Sequence, residues 1–332
     1  MVTELVVSQS ELVSLEATLL NKSGDVPLHN RFRALFTLKA LKNEHAIRII
    51  SKGLYLEPSV VEKRTHNSQI KNEVALPTLE RVLADETEDP MVRHEAAEAM
   101  GAISSTSSLP VLKKYVHDPE RAVRETCEIA LARIQWDHSE EGQRHQSSHS
   151  QDFQIYTSID PAPPTSGLLA GTPKPKHLPE AKIAELRNQL LDTKLPLFER
   201  YRAMFALRNV GTAEAVDALA AGFTDDSALF KHEIAFVFGQ LLSIHSVPSL
   251  IKVLQNANES DMVRHEAAEA LGGIATPEVL PYLKEYMSKA DAPVVVRESC
   301  QVALDMYEYE NSGQFQYANG LDGATAKEAV GA

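Results

Sequence analysis

Apolar residues recur at helical spacing along most of the chain. Leu79, Val82 and Leu83, and then Val92, Ala96, Ala99, Met100 and Ile103, each trace one face of a helix. Asp89 ahead of Pro90 marks a helix start, and Ser260 stands ready to cap the equivalent helix further on. Pro110, Pro119, Pro248, Pro277 and Pro281 punctuate the connections. The helices pair into units of about 30 to 40 residues, the length of helical hairpins that stack into a solenoid. About four such units per half, or about eight in all, predict an all-α solenoid.

The halves are copies. Met91-Val-Arg-His-Glu-Ala-Ala-Glu-Ala99 returns unchanged at residues 262–270. Gly101 and Ile103 answer to Gly272 and Ile274, and Leu109-Pro110 to Leu280-Pro281. Val123-Arg-Glu-Thr-Cys127 answers to Val296-Arg-Glu-Ser-Cys300, and Arg31-Phe-Arg-Ala-Leu-Phe-Thr-Leu38 to Arg200-Tyr-Arg-Ala-Met-Phe-Ala-Leu207. Two pseudo-symmetric lobes follow, over residues 1–136 and 178–310. Residues 137–177, rich in Ser, Gln, Pro and Gly, read as a flexible linker, and 311–332 as a disordered tail. His138, His145, His149 and His177 of the linker are set aside, since a mobile polar tract seldom fixes a metal.

Composition narrows the function. Hydrophobic residues make up 43% of the chain, enough for a substantial core, while aromatics are 6%, a balance that favours packed helices. A net charge of -13 argues against nucleic acid and suits a basic protein or an amine. No apolar run approaches the roughly 20 residues of a membrane span. The first ten residues do not read as a signal peptide. Two cysteines, Cys127 and Cys300, are too few for a disulfide framework and occupy equivalent places, so a reducing cytoplasmic or nuclear setting is the default. Both read as core residues rather than nucleophiles.

The candidate chemistry lies in three adjacent pairs: His94-Glu95, His232-Glu233 and His265-Glu266. Neighbours on a helix point about 100° apart, so one pair cannot readily turn both side chains to one ion. His232 and His265 are 33 residues apart, one hairpin unit, and stacked units bring such residues within about 10 Å. Imidazole and carboxylate suit iron, manganese or zinc. The plain alternative is that polar residues on inner helices are merely solvated. Three pairs at equivalent positions weigh against it, because burying such groups is costly without a partner.

In Ser227-Ala-Leu-Phe-Lys-His-Glu-Ile-Ala-Phe236 and Asp261-Met-Val-Arg-His-Glu-Ala-Ala-Glu-Ala-Leu-Gly272 the chain resembles the deoxyhypusine hydroxylases, HEAT-repeat monooxygenases. The resemblance covers nearly everything but the linker and tail. It implies about eight HEAT-like hairpins and two Fe(2+) ions between the lobes, held by four His-Glu pairs. It also implies O2 and an external electron donor as co-reactants. The implied substrate is the deoxyhypusine side chain of eukaryotic translation initiation factor 5A, with hypusine as product. Carried over, His232, His265 and Glu266 would ligate one iron, with Glu233 completing that shell or facing the substrate amine. His94 and Glu95 would ligate the other, and Glu233 and Glu95 are the candidate catalytic carboxylates.

The chain departs from that pattern once. Where a fourth pair is due stand Lys63-Arg64 or Val61, according to the register used, and 54–68 lacks the apolar rhythm of 223–239. His66 is off register as a substitute, and Pro58 distorts any helix there. One iron site is thereby impaired, which keeps open a non-catalytic HEAT-repeat scaffold; a binuclear zinc or manganese hydrolase is a third reading. The similarity stops and resumes abruptly, as a shifted reading frame or misplaced splice boundary would make it. Transcript sequencing through codons 54–68 is therefore expected to reveal a His-Glu pair; a transcript encoding the residues as written would remove the idea.

Overall fold

The computed structural model describes residues 7–41, 43–53, 72–148, 156, 159–165 and 178–312. Among these there are sixteen α-helices and no strand. In the first half α1 (Gln9–Leu19) pairs with α2 (Leu28–Leu41). Next comes α3 (Glu44–Gly53), followed by residues 54–71, which lie outside the described residues. Then α4 (Leu76–Ala84) pairs with α5 (Pro90–Ile103), and α6 (Leu109–Tyr115) with α7 (Arg121–Asp137). The connector carries α8 (Glu140–Ser148). In the second half α9 (Glu180–Leu191) pairs with α10 (Leu197–Val210), and α11 (Ala213–Ala220) leads into α12 (Ala228–Leu241). The last pairs are α13 (Val247–Gln255) with α14 (Asp261–Ile274), and α15 (Leu280–Ser288) with α16 (Val294–Asn311). Each hairpin stacks on the next, which makes the fold the all-α solenoid that the periodicity predicts.

Local chemistry sets the boundaries. Asp89 accepts a hydrogen bond from the Met91 amide and Pro90 opens α5, as expected; Ser227 accepts from Phe230 at the start of α12. Ser260 does occupy the cap position of α14, but its side chain makes no capping bond. The outer helices α4, α6, α13 and α15 each begin with an apolar residue followed by proline after a 3-10 turn, since a missing N–H is harmless in the first helical turn.

Three inner-helix arginines share a structural task. Arg93, Arg200 and Arg264 donate to the carbonyl oxygens of Leu83, Leu190 and Leu254, each ten residues earlier, at 3.1, 2.9 and 3.1 Å. They thereby satisfy carbonyls at the end of the preceding outer helix. Arg93 also pairs with buried Asp118 at 2.6 Å, and Arg200 with buried Asp225.

The inner helices of the two lobes face each other, and the lobes meet at both ends. At one end α7 packs on α10 and α12, where Ser227 donates to Glu125 at 2.7 Å and Arg121 pairs with Asp226 at 2.8 Å. At the other end α2 packs on α16, with Phe32 against Val302 and Arg33 paired to Asp305 at 2.7 Å.

The stretch 137–177, read as a flexible linker, contains both α8 and a docked segment. Ala162 is fully buried, Thr165 N–H donates to the Arg202 carbonyl at 3.2 Å, and Arg208 holds the Asp160 carboxylate by two bonds of 2.6 Å. A proline-rich segment lacks helical periodicity yet has little conformational entropy to lose on docking. The tail residues 313–332 and His149 and His177 lie outside the described residues.

The matched glycines Gly101 and Gly272 mark close helix contacts. A Cβ on Gly272 would stand 2.5 Å from Ala303 Cα, and one on Gly101 2.9 Å from Ala130 Cβ, whereas one on Gly239 would clear Ala270 by 3.4 Å. Gly272→Ala should therefore destabilise the fold by about 1–3 kcal/mol. Gly239→Ala should be neutral or mildly stabilising, since alanine favours helix. Denaturant titration of both variants checks this, and equal effects would refute the packing account.

Candidate metal centre

Stacking brings the expected residues to one place. His94 and Glu95 lie on α5, His232 and Glu233 on α12, and His265 and Glu266 on α14. All three histidines are buried, His94 and His265 completely. The rings of His232 and His265, one hairpin apart in sequence, have centroids 5.5 Å apart. Across the seam between lobes, the His94 ring is 5.7 Å from that of His232.

His232, His265 and Glu266 each offer one ligand atom, all within 4.8 Å of one another, and Nε2 of His232 is 3.3 Å from Oε2 of Glu266. Ligands about 2.1 Å from an ion stand at most about 4.2 Å apart, so a small side-chain shift would let this trio share one. Glu95 is half-buried, its Oε1 3.9 Å from Nε2 of His94. The C-terminal lobe thus presents a compact ligand set, and the N-terminal lobe presents His94 and Glu95 opposite it. Residues 61, 63, 64 and 66, where the fourth pair is due, lie outside the described residues.

Glu233 differs from the others. Its Oε1 is buried and accepts no hydrogen bond. Burial first, and then the carboxylates of Glu98, Asp160, Glu266 and Glu95, hold its carboxyl well above the usual carboxylate range. A carboxylate in that position favours a cation, whether a metal ion or a protonated amine.

Sequence reading missed several supporting residues. Glu269 lies 3.5 Å from Nδ1 of His265 and accepts a hydrogen bond from Ser299 at 2.8 Å, an arrangement that orients the imidazole and leaves Nε2 as the donor to a metal. The signal was present in the duplicated nonapeptide, where Glu98 and Glu269 follow the histidines by four residues on the same helix face. The docked connector places Pro161 beside Glu98, Thr126 and Tyr201 in the cleft between lobes. The connector histidines are elsewhere: His138 bonds the Ser104 carbonyl at 2.9 Å, and His145 packs on Trp136. Cys127 and Cys300 are buried and free, with burial pushing each thiol up to about 12, which suits core residues and not nucleophiles.

Fold and side chains together define a helical-repeat protein with a candidate metal centre in the seam between its halves. The HEAT repeat family matches residues 65–132 and 217–304, and the PBS lyase HEAT-like repeat matches 199–225. The chain is 65% identical to a deoxyhypusine hydroxylase of Lentinula edodes, over 98% of this chain and 99% of that one. It is 45% identical to the mouse deoxyhypusine hydroxylase, over 95% of this chain and 98% of that one. The structure of human deoxyhypusine hydroxylase in complex with glycerol aligns with a TM-score of 0.78 at 42% identity, covering 90% of this chain and 96% of that one. The chain belongs to the deoxyhypusine hydroxylase family and is an enzyme. No helix among the described residues is long and apolar enough to cross a membrane.

The raised Glu233 carboxyl has a consequence for the metal-free protein. Its folded pKa lies above the unfolded value, so the associated stability is complete below about pH 4.5 and is lost as pH rises toward the folded pKa. Glu233→Gln should therefore raise the melting temperature of metal-free protein at neutral pH by a few degrees, with the gain vanishing near about pH 4. Thermal melts across that range test it; a variant no more stable than wild type at neutral pH would contradict the assignment.

Proposed function

We propose that this enzyme hydroxylates the deoxyhypusine side chain of eukaryotic translation initiation factor 5A with O2, using two ferrous ions held between the lobes. The observation that carries the reading is the buried set His232, His265 and Glu266, with His94 facing it from the other lobe. All-nitrogen and oxygen donors fit ferrous iron, and no thiolate stands among them. His232, His265 and Glu266 are the ligands of one iron; His94 and Glu95 belong to the other. When bound, the iron pair supplies dioxygen activation and the two-electron oxidation of a C–H bond, with further electrons from an external donor.

The chain's own residues do the rest. The substrate chain carries protonated amines, and the buried carboxylate of Glu233 can take one by a charge-assisted hydrogen bond, with Glu95 as its counterpart across the seam. Fixing the amine fixes the chain carbon that is to be hydroxylated, so positioning supplies much of the rate. The seam around His94 and His265 is closed to solvent, which keeps water from a reactive centre. The net charge of -13 favours approach of a cationic side chain. A cytoplasmic site of action, with access to the nucleus, suits a chain whose cysteines are free.

His265→Ala and Glu266→Ala are each expected to abolish hydroxylation of the deoxyhypusine-bearing factor and to lower iron by about one ion per chain, with little loss of helical circular dichroism. In His94→Ala the other ion should be lost to a chelator more readily than wild type loses its first. Iron content and turnover unchanged in all three variants would replace this reading with a scaffold that binds a partner without chemistry; oxygen-independent turnover would replace it with a hydrolase.

A further inference from the structure

The duplication is broken at one end of the seam. Glu98 and Glu269 are repeat-equivalents, each four residues after a histidine of the candidate metal centre. Glu269 accepts a hydrogen bond from Ser299 at 2.8 Å and stands 3.5 Å from Nδ1 of His265. Thr126, the equivalent of Ser299, donates instead to the Ala122 carbonyl at 2.8 Å. The hydroxyl that holds Glu269 in one lobe is thus turned away from Glu98 in the other.

What stands beside Glu98 is a cleft. Thr126 and Ile129 of α7, Tyr201 of α10, Leu229 of α12 and Pro161 of the docked connector line it with Glu98 of α5, so both lobes and the connector contribute. Its walls are almost wholly apolar. The Thr126 hydroxyl is taken by Ala122, and that of buried Tyr201 lies 3.4 Å from the Leu229 carbonyl. Asp160, next to Pro161, is committed to Arg208 by two bonds of 2.6 Å. Among the described residues that line the cleft, Glu98 alone is charged.

The cleft adjoins Glu233. After burial itself, the charge of Glu98 acts on Glu233 more strongly than any other, and Glu233 and Glu98 are the charges that act most on Tyr201. Glu233 is 3% exposed and its Oε1 accepts no hydrogen bond. Two carboxylates in an apolar setting are costly to keep ionised unless cations come to them.

The deoxyhypusine side chain has the matching chemistry, a secondary amine and a terminal primary amine joined by a butyl chain. We propose that Glu98 binds the terminal ammonium, with the butyl methylenes against the apolar walls of the cleft, while Glu233 and Glu95 serve the secondary amine. This inference rests on the function proposed above and makes Glu98 a residue that selects the substrate. A chain without the terminal amine would desolvate Glu98 and give nothing back, so the site discriminates against it.

The test is a binding cycle on the ferrous enzyme kept free of oxygen. One ligand is the factor bearing deoxyhypusine; the other is a semisynthetic factor bearing N-butyl lysine, which keeps the secondary amine and lacks the terminal one. Calorimetry gives the dissociation constant of each with wild type and with Glu98→Gln. We expect removal of the terminal amine to weaken binding to wild type about tenfold or more. Glu98→Gln should weaken binding of deoxyhypusine by a similar factor and that of N-butyl lysine by less than about twofold. The iron content and helical circular dichroism of the variant should equal those of wild type. Equal losses on both chains would overturn the assignment. So would loss of an iron ion from the variant, which would make Glu98 a holder of His94 instead. A wild type that binds deoxyhypusine-bearing and unmodified factor equally is a different failure, since it would bring down the proposed function itself.

Discussion

Three imidazoles and two carboxylates share a dry seam between the lobes, and the rest of the molecule is arranged around the cost of keeping them there. A buried ionised carboxylate loses several kcal/mol of hydration unless a cation or hydrogen bonds restore it. Glu233 has no hydrogen bond to its Oε1, and its neighbours Glu98, Asp160, Glu266 and Glu95 make ionisation harder still. A protein tolerates such a group only where something positive is expected. His265 is by contrast fixed from behind by Glu269, itself held by Ser299. The cluster is therefore oriented behind His265, while Glu233 turns a buried carboxylate oxygen with no hydrogen bond into the seam, a position that favours a cation.

Holding that cluster requires both lobes, because His94 reaches it from α5 while its neighbours come from α12 and α14. Two end contacts set the spacing of the seam. At the α2–α16 end the Arg33–Asp305 pair is partly solvated and contributes at most about 1 kcal/mol. Burial of the Phe32 ring there contributes roughly 1.5–3 kcal/mol, so apolar contact dominates. At the α7 end the polar bridge from Ser227 to Glu125 is buried, and losing one partner would strand the other. The two ends thus use different physics to hold one distance.

Much of this was legible from residues alone. The duplication and its helical period imply stacked hairpins, and the 33-residue step between His232 and His265 implies side-by-side rings, which the structure has at 5.5 Å. The shared Arg-His-Glu motif was read for its histidine and glutamate, while its arginine turned out to join each inner helix to the preceding outer one. The connector escaped notice because Asp160, Pro161 and Ala162 dock through one ion pair and proline rigidity, neither of which leaves a period. Glu269 escaped because one carboxylate on a charged helix resembles any other until its neighbour is known to be a buried imidazole.

The duplication also explains how a local departure at 54–68 can coexist with a sound architecture. Each hairpin packs chiefly on its neighbours, and among the described residues α4 to α7 are held by one another and by α10 and α12. The ligand trio of the C-terminal lobe likewise comes from α12 and α14, adjacent hairpins of one lobe, and needs nothing from the other to assemble. Among the described candidate ligands, His94 and Glu95 face that trio from across the seam. Folding and the candidate site of the C-terminal lobe are therefore separable from the proposed second site, and whatever the residues before α4 do, their effect should fall on the chemistry of the N-terminal half before it falls on the fold.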